Sequence, residues 1–118
     1  YQLASSLASS TSTATTPQTK VTLTTTSLPA GTYKIYSAWM ASHTSTSNSS
    51  YFDLTIGGTA QGTRDTITKE WQDTTNIEAL SSVFYVTLSG VNTILLRYWN
   101  EGSSTTISDA TIELIRVS

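Results

Sequence analysis

Cysteine is absent from this 118-residue chain, so neither a disulfide framework nor a thiolate metal site can hold it together. Histidine occurs once, at His43, which excludes a multi-histidine metal centre. Only 12% of the residues are charged, and six Lys and Arg against eight Asp and Glu offer no basic stripe that could follow a phosphate backbone. Nucleic acid is therefore not an expected partner. No apolar run approaches the roughly 18 residues of a membrane-spanning helix, so membrane insertion is not expected either. The opening Tyr1-Gln-Leu-Ala is neither an initiator methionine nor a signal peptide, and the chain reads as the distal piece of something longer.

What the chain has in place of charge is hydroxyl: 19 Ser and 24 Thr make up 43 of its 118 residues. Threonine favours strands, and together the two can cover a surface where cytosolic proteins use Lys and Glu. An extracellular or virion-surface protein fits that composition. The length suits one domain with a single core, whose stability must come from packing or assembly.

Residues 1–19 open with Tyr1, Leu3 and Leu7 and then turn to Ala, Ser and Thr, which predicts a short strand and a linker ahead of a domain spanning 20–118. Lys20 to Thr26 alternates Val21 and Leu23 with threonines, the pattern of a half-buried strand. Leu28-Pro29-Ala30-Gly31 predicts a turn, because Pro presets φ and Gly permits φ > 0. The central strand, Gly31 to Ser42, has large side chains on both faces, with Tyr33, Ile35 and Trp39 on one and Tyr36, Ala38 and Met40 on the other. A lone antiparallel strand gives one face to water, so two apolar faces ask for a core and a neighbouring subunit.

The polar run Ser42 to Ser50 predicts an exposed loop, and Tyr51 to Ile56 a strand closed by Gly57-Gly58. A polar strand, about Gln61 to Glu70, returns from that turn, and Trp71 to Asn76 is a second loop. Ile77, Leu80 and Phe84 have a helical spacing, but Val83 to Thr87 is β-branched and aromatic, which favours a strand. A hairpin at Ser89 to Asn92, a strand from Thr93 to Trp99, a loop at Asn100 to Ser104 and a last strand from Thr106 to Val117 complete the chain. About eight short strands with regular turn signals and no internal repeat predict an all-β fold, an antiparallel β-sandwich of jelly-roll type. Its expected core includes Phe52, Leu54, Ile56, Phe84, Val86, Leu88, Ile94, Leu96, Ile112 and Leu114.

No residue cluster spells out a reaction. A Ser-His-Asp triad could be drawn from His43, Asp53 and a serine, but no strained Gly-x-Ser-x-Gly turn presents a nucleophile. Carboxylate pairs among Asp65, Glu70, Asp73 and Glu78 could serve glycoside hydrolysis, yet they lie in the most polar third of the chain, where a solvated face accounts for them. The glycosylation sequon Asn48-Ser49-Ser50 is expected by chance in so serine-rich a chain. The expectation is a non-enzymatic domain without metal or cofactor. The aromatics could stack on sugar rings, or they could fill the core and a subunit interface. Trp71 stands apart, as either a binding anchor or the cover over one end of the sandwich. Binding is expected from the loops, at His43, Asn48, Trp71, Asp73 and Asn76, with His43 read as solvated. The surplus apolar residues Tyr36, Met40, Tyr85, Ile115 and Val117 are expected at the interface of a homotrimer.

Four segments, Leu28-Pro-Ala-Gly-Thr-Tyr33, Phe52-Asp-Leu-Thr-Ile-Gly-Gly58, Leu88-Ser-Gly-Val-Asn-Thr-Ile-Leu-Leu96 and Ala110-Thr-Ile-Glu-Leu-Ile-Arg-Val117, together resemble a recurring phage and virus structural domain. It is the small trimeric knob, with a fold like that of tumour necrosis factor, that ends tail fibres and vertex spikes or decorates capsids. The resemblance runs from Lys20 to nearly the end of the chain. It implies a homotrimeric jelly roll on a virion surface, with binding carried by loops at the exposed end, and it assigns no site residue. The leading reading is the head of a tail fibre or spike that contacts a host-surface glycan or protein. The alternatives are a capsid decoration protein that clamps capsid or tail proteins of the same particle, and a monomeric carbohydrate-binding module of a secreted enzyme.

Overall fold

Alternating apolar and hydroxyl residues can bury one side of every strand only if the strands pair and two sheets close on each other, and the chain takes this solution. The computed structural model describes residues 1–57, 59–60 and 66–118. Its strands are β1 (Gln2–Ser6), β2 (Ser10–Ser12), β3 (Gln18–Thr24), β4 (Leu28–His43), β5 (Ser49–Ile56), β6 (Thr59–Ala60), β7 (Ile67–Glu70), β8 (Glu78–Gly90), β9 (Thr93–Asn100) and β10 (Thr105–Arg116). One sheet runs β1-β10-β4-β8 with β2 also on β10, and the other runs β3-β9-β5 with β6 and β7 both on β5. Every pairing is antiparallel. The result is the predicted all-β jelly-roll sandwich.

The core lies between the sheets. Tyr33, Ile35 and Trp39 of β4 meet Phe52 and Leu54 of β5, Ile94 and Leu96 of β9 and Ile112 and Leu114 of β10, all of them buried. Trp39 and Phe52 bridge the sheets with ring centroids 5.2 Å apart. Ile56, Phe84 and Val86, also expected in the core, pack against its edge and are half-buried: Phe84 and Val86 lie on the edge strand β8, and Ile56 is the last residue of β5.

The expected strands are present, with one turn to correct. The short strand expected within residues 1–19 is β1, and with β2 it pairs along β10 as part of the sheet, with Gln2 opposite Leu114 and Ser12 opposite Thr105. Leu28 to Gly31 is not a turn: β4 begins at Leu28 and carries a bulge against β8 there, a position where Pro29 can be accommodated without a ladder N–H. Gly31 is required for close approach, because a Cβ on it would lie 2.5 Å from the Ser118 carbonyl oxygen and 2.8 Å from Arg116 Nε. Of the predicted return strand, about Gln61 to Glu70, the end is seen as β7, while Gly58 and 61–65, with Asp65, lie outside the described residues.

Lys20 was expected to open a half-buried strand and is instead itself buried, at a bulge between Thr19 and Val21. Its Nζ donates to the Ala8 carbonyl at 2.5 Å and to Ser10 Oγ at 2.8 Å, which clasps the β1–β2 connection onto the edge of the opposite sheet. Burial pushes the lysine below its ordinary pKa, and the Asp109 charge opposes that shift.

The sandwich has two unlike ends. At one, Gly57 and Gly90 take φ of 59° and 69° in tight turns beside the Thr25–Ser27 connection. Both ends of the described chain lie there as well, because Gln2 pairs with Leu114 and Ser118 receives the Thr32 N–H. At the other end are the connections β2–β3, β4–β5, β7–β8 and β9–β10. Leu96 is fully buried between the sheets. Leu96→Ala is expected to destabilise the domain by about 2–5 kcal/mol in chemical denaturation. A change under about 1 kcal/mol would mean that the two sheets do not close on this residue.

Candidate functional site: the polar loop end

The four connections at the second end are joined from beneath by a buried polar chain. Trp71 Nε1 donates to Ser50 Oγ at 2.8 Å, and Ser50 Oγ lies 2.5 Å from Thr105 Oγ1. The Thr105 hydroxyl in turn donates to Asn100 Oδ1. Asn100 Nδ2 closes the chain on the carbonyls of Ser12 and Ala14, at 2.9 and 3.2 Å. With Ser50 donating to Thr105, every step runs in one direction and no hydroxyl is left unpaired. Ser50 and Asn100 come from one sheet and Thr105 and Ser12 from the other, so the chain ties the two sheets together at this end.

His43 and Trp71 sit on top of that chain as its lid. Their rings stack at 5.9 Å with an 8° interplanar angle, and they are only 2% and 3% exposed. His43 Nε2 lies 3.0 Å from the Gly102 carbonyl, and Nδ1 accepts the Ser45 N–H at 3.1 Å and lies 2.7 Å from the Ser45 carbonyl.

These positions correct two expectations. His43 is not a solvated loop side chain: it is the last residue of β4 and points inward, because β4 continues its alternation two residues past Ala41. Trp71 is the cover over the sandwich and is not an exposed anchor. Nor does the triad drawn on paper assemble. The ring nitrogens of His43 meet main-chain groups, and Asp53 accepts Arg97 Nε at 2.9 Å and Nη2 at 2.6 Å.

Above the lid is an open groove of about 570 Å³, lined by Ser47, Asn48 and Ser49, by Glu70 and Gln72 on either side of Trp71, and by Glu101. Asn48 is placed in it as expected, with its Nδ2 donating to Ser103 Oγ at 3.3 Å. Glu101 is held by its own N–H, which donates to the Ser49 carbonyl at 2.9 Å. A second hollow of about 540 Å³ lies on the far side of Glu70 and Gln72 and includes Asp73 and Asn76. Its wall is fixed by the Lys69–Glu78 ion pair at 3.1 Å, with the ammonium 5.4 Å from the Trp71 ring centre.

Asp73 folds the 71–77 connection on itself. Its Oδ1 accepts the Thr75 N–H and the Thr75 hydroxyl, each at 2.6 Å, and Asn76 Nδ2 reaches Oδ2 at 3.4 Å. The hydrogen bonds from Thr75, hydroxyl first and amide second, hold the Asp73 carboxyl below its ordinary pKa.

Sequence reasoning did not single out Glu101 or Gln72, and it named Tyr51 and Trp99 only among the aromatics that could stack on sugar rings or fill core and interface, without pairing them. Tyr51 and Trp99 are directly opposite each other on β5 and β9, on the face of that sheet away from the core, with rings 5.6 Å apart and inclined by 24°. The signal that could have found them is parity: both fall out of phase with the buried Phe52 and Tyr98 beside them. The other tryptophans, Trp39 and Trp71, are buried, and Tyr36 and Tyr85 lie on the outer face of the β4 sheet.

Two consequences can be measured. Ser50→Ala leaves the Trp71 N–H without an acceptor and Thr105 without a donor, and is expected to destabilise the domain by about 1–3 kcal/mol in denaturant titration; full stability in this variant would show that the chain does not hold the loop end. The Asp73 turn is in place above the unfolded-chain pKa near ~3.9 and is released as pH falls through the lower folded value. The Thr75 amide resonance should therefore move with a midpoint below ~3.9, and the step should vanish in Asp73→Asn.

No family model matches the chain, and no curated protein matches it in sequence. Solved structures do match in fold. The tumour necrosis factor Eiger of S. frugiperda superposes with a TM-score of 0.60 at 11% identity, over 98% of this chain and 92% of that one. The C-terminal domain of EclA, described as a sugar-binding protein, superposes with a TM-score of 0.57 at 14% identity, over 92% of this chain and 79% of that one. At these identities the likeness is one of fold, and it makes the sandwich a jelly roll similar to that of tumour necrosis factor.

Proposed function

We propose that the domain is a non-enzymatic recognition head that assembles as a homotrimer through the outer face of the β4 sheet and meets a host-surface glycan or protein with its loop end. The observation that carries this reading is the make-up of that outer face. In one row across the sheet Leu3, Tyr36 and Val83 accompany Glu113, and in the next Ile115 and Tyr85 accompany Lys34. Met40 lies beside Ala79 further along, and Val117 follows the end of β10. Val83 and Tyr85 are 52% and 63% exposed in the single chain.

A solvated sheet face normally carries polar side chains, and a contiguous apolar patch marks an interaction surface. A closed ring of three buries the same patch on every subunit and leaves no free copy of it. A hollow of about 260 Å³ bounded by Tyr36, Met40, Ala79 and Asp109 gives the face relief in which a neighbour can seat a side chain.

The sequence resemblance to trimeric knobs supplies the setting, a virion surface, with attachment by a tail fibre or spike as the role and capsid decoration as another placement of the same trimer. The polar groove at the loop end supports the attachment role. The groove also favours a second reading, a carbohydrate-binding module of a secreted enzyme, in which the outer face of the β4 sheet stays free. The two readings differ in mass.

Light scattering of the purified domain is expected to give three times the 12.7 kDa of the chain, and Tyr36→Glu is expected to reduce it to one. A monomeric wild type removes the trimer and leaves the module. Replacing only Thr46 to Asn48 with glycine spares the buried His43 and Ser50, and should weaken adsorption to host cells without unfolding the domain.

A further inference from the structure

The groove at the loop end does not stop at its rim. Tyr51 Oη lies 3.5 Å from Glu101 Oε2, so the carboxylate at the edge of the groove is in reach of the aromatic pair on the outer face of the β5 sheet. We propose that groove and pair form one saccharide-binding strip, in which Tyr51 and Trp99 seat a pyranose ring while Glu101, Glu70 and Asn48 hold its hydroxyls, and that the strip selects uncharged sugars over acidic ones. This rests on the reading of the loop end as a recognition surface, and it names that surface's ligand class.

Three observations carry it. The first is the aromatic pair itself. Tyr51 and Trp99 are half-buried on a face turned away from the core, and they present apolar ring area with a polar edge, the match for a sugar's C–H face and hydroxyl rim.

The second is that the row is fixed before any ligand arrives. The Arg97 guanidinium lies 6.0 Å from the Trp99 ring centre and is itself held by two hydrogen bonds to Asp53, which is 3% exposed. Tyr51 is held between Trp99 and Glu101. A side chain already ordered loses little freedom on binding, which is the usual weakness of a surface aromatic as an anchor.

The third is charge. Glu70 and Glu101 are the acidic side chains of the groove, and among the described residues no lysine or arginine lines it. Among the described residues the cations beside it are matched by acids, Arg97 by Asp53 and Lys69 by Glu78. Carboxylates accept hydrogen bonds and donate none, so they suit paired sugar hydroxyls and repel sialic, uronic or sulphated residues. About 570 Å³ is room for one or two sugar rings.

The test uses the assembled wild-type protein with a neutral lactose-based oligosaccharide, its sialylated counterpart, and cello- and manno-oligosaccharides as probes. Binding is followed on the Trp99 indole N–H resonance and by affinity. A neutral probe is expected to shift that resonance, and the sialylated probe is expected to bind at least tenfold more weakly than its neutral counterpart. Trp99→Ala should weaken binding at least tenfold with an unchanged melting temperature. If Trp99→Ala does not fold, the exposed Glu101→Gln serves instead, with weaker neutral binding and a smaller bias against the acidic probe. Equal or tighter binding of the acidic probe, or sugar binding that leaves Trp99 unmoved, overturns the strip and leaves the recognition head standing. No response to any sugar, with adsorption to cells intact, overturns it in favour of a protein receptor.

Discussion

The loop end depends on a single directional run of hydrogen bonds, from the Trp71 indole through the hydroxyls of Ser50 and Thr105 to Asn100 and the carbonyls of Ser12 and Ala14. Hydrophobic contact holds the two sheets together along most of their length, but it is not directional and cannot fix loops in register. A buried polar chain can, because a shift at any one member leaves a donor or acceptor unpaired in a place water does not reach. Through that chain the position of the groove's floor is set by strands in both sheets, and the polar side chains above it need only a short reach.

Much of the framework was legible because alternation is a local property. The inward set of β4, the core positions of β5, β9 and β10, and the outward set Tyr36, Ala38 and Met40 all follow from counting by two. Burial at the loop end was not legible in the same way. His43 and Trp71 stand among polar neighbours in sequence, and what removes them from water is each other, with Gly102 and Ser50 far along the chain. Local polarity predicts exposure only where no distant partner arrives. Gly31 illustrates the converse: a glycine beside proline reads as a turn, and its actual constraint is the carbonyl of Ser118.

The abundance of hydroxyls has two physical roles here. On the surface, as at Thr22 and Thr24, they keep strands polar without charge. Inside, Ser37 Oγ donates to the Thr111 carbonyl at 2.8 Å and Ser50 and Thr105 form the links of the buried chain. A small side chain that both donates and accepts lets two sheets approach closely and still pair their polar atoms. In a chain without cysteine, such bonds supply the fixed geometry that a disulfide would otherwise provide.

The pairing of Gln2 with Leu114 sets the first and last strands side by side, about 5 Å apart across one ladder. The sheet is thus closed like a seam sewn by its own two hems, and it is fastened far from the polar connections of the opposite end. Substitutions in those connections change what that end presents and leave the seam as it is.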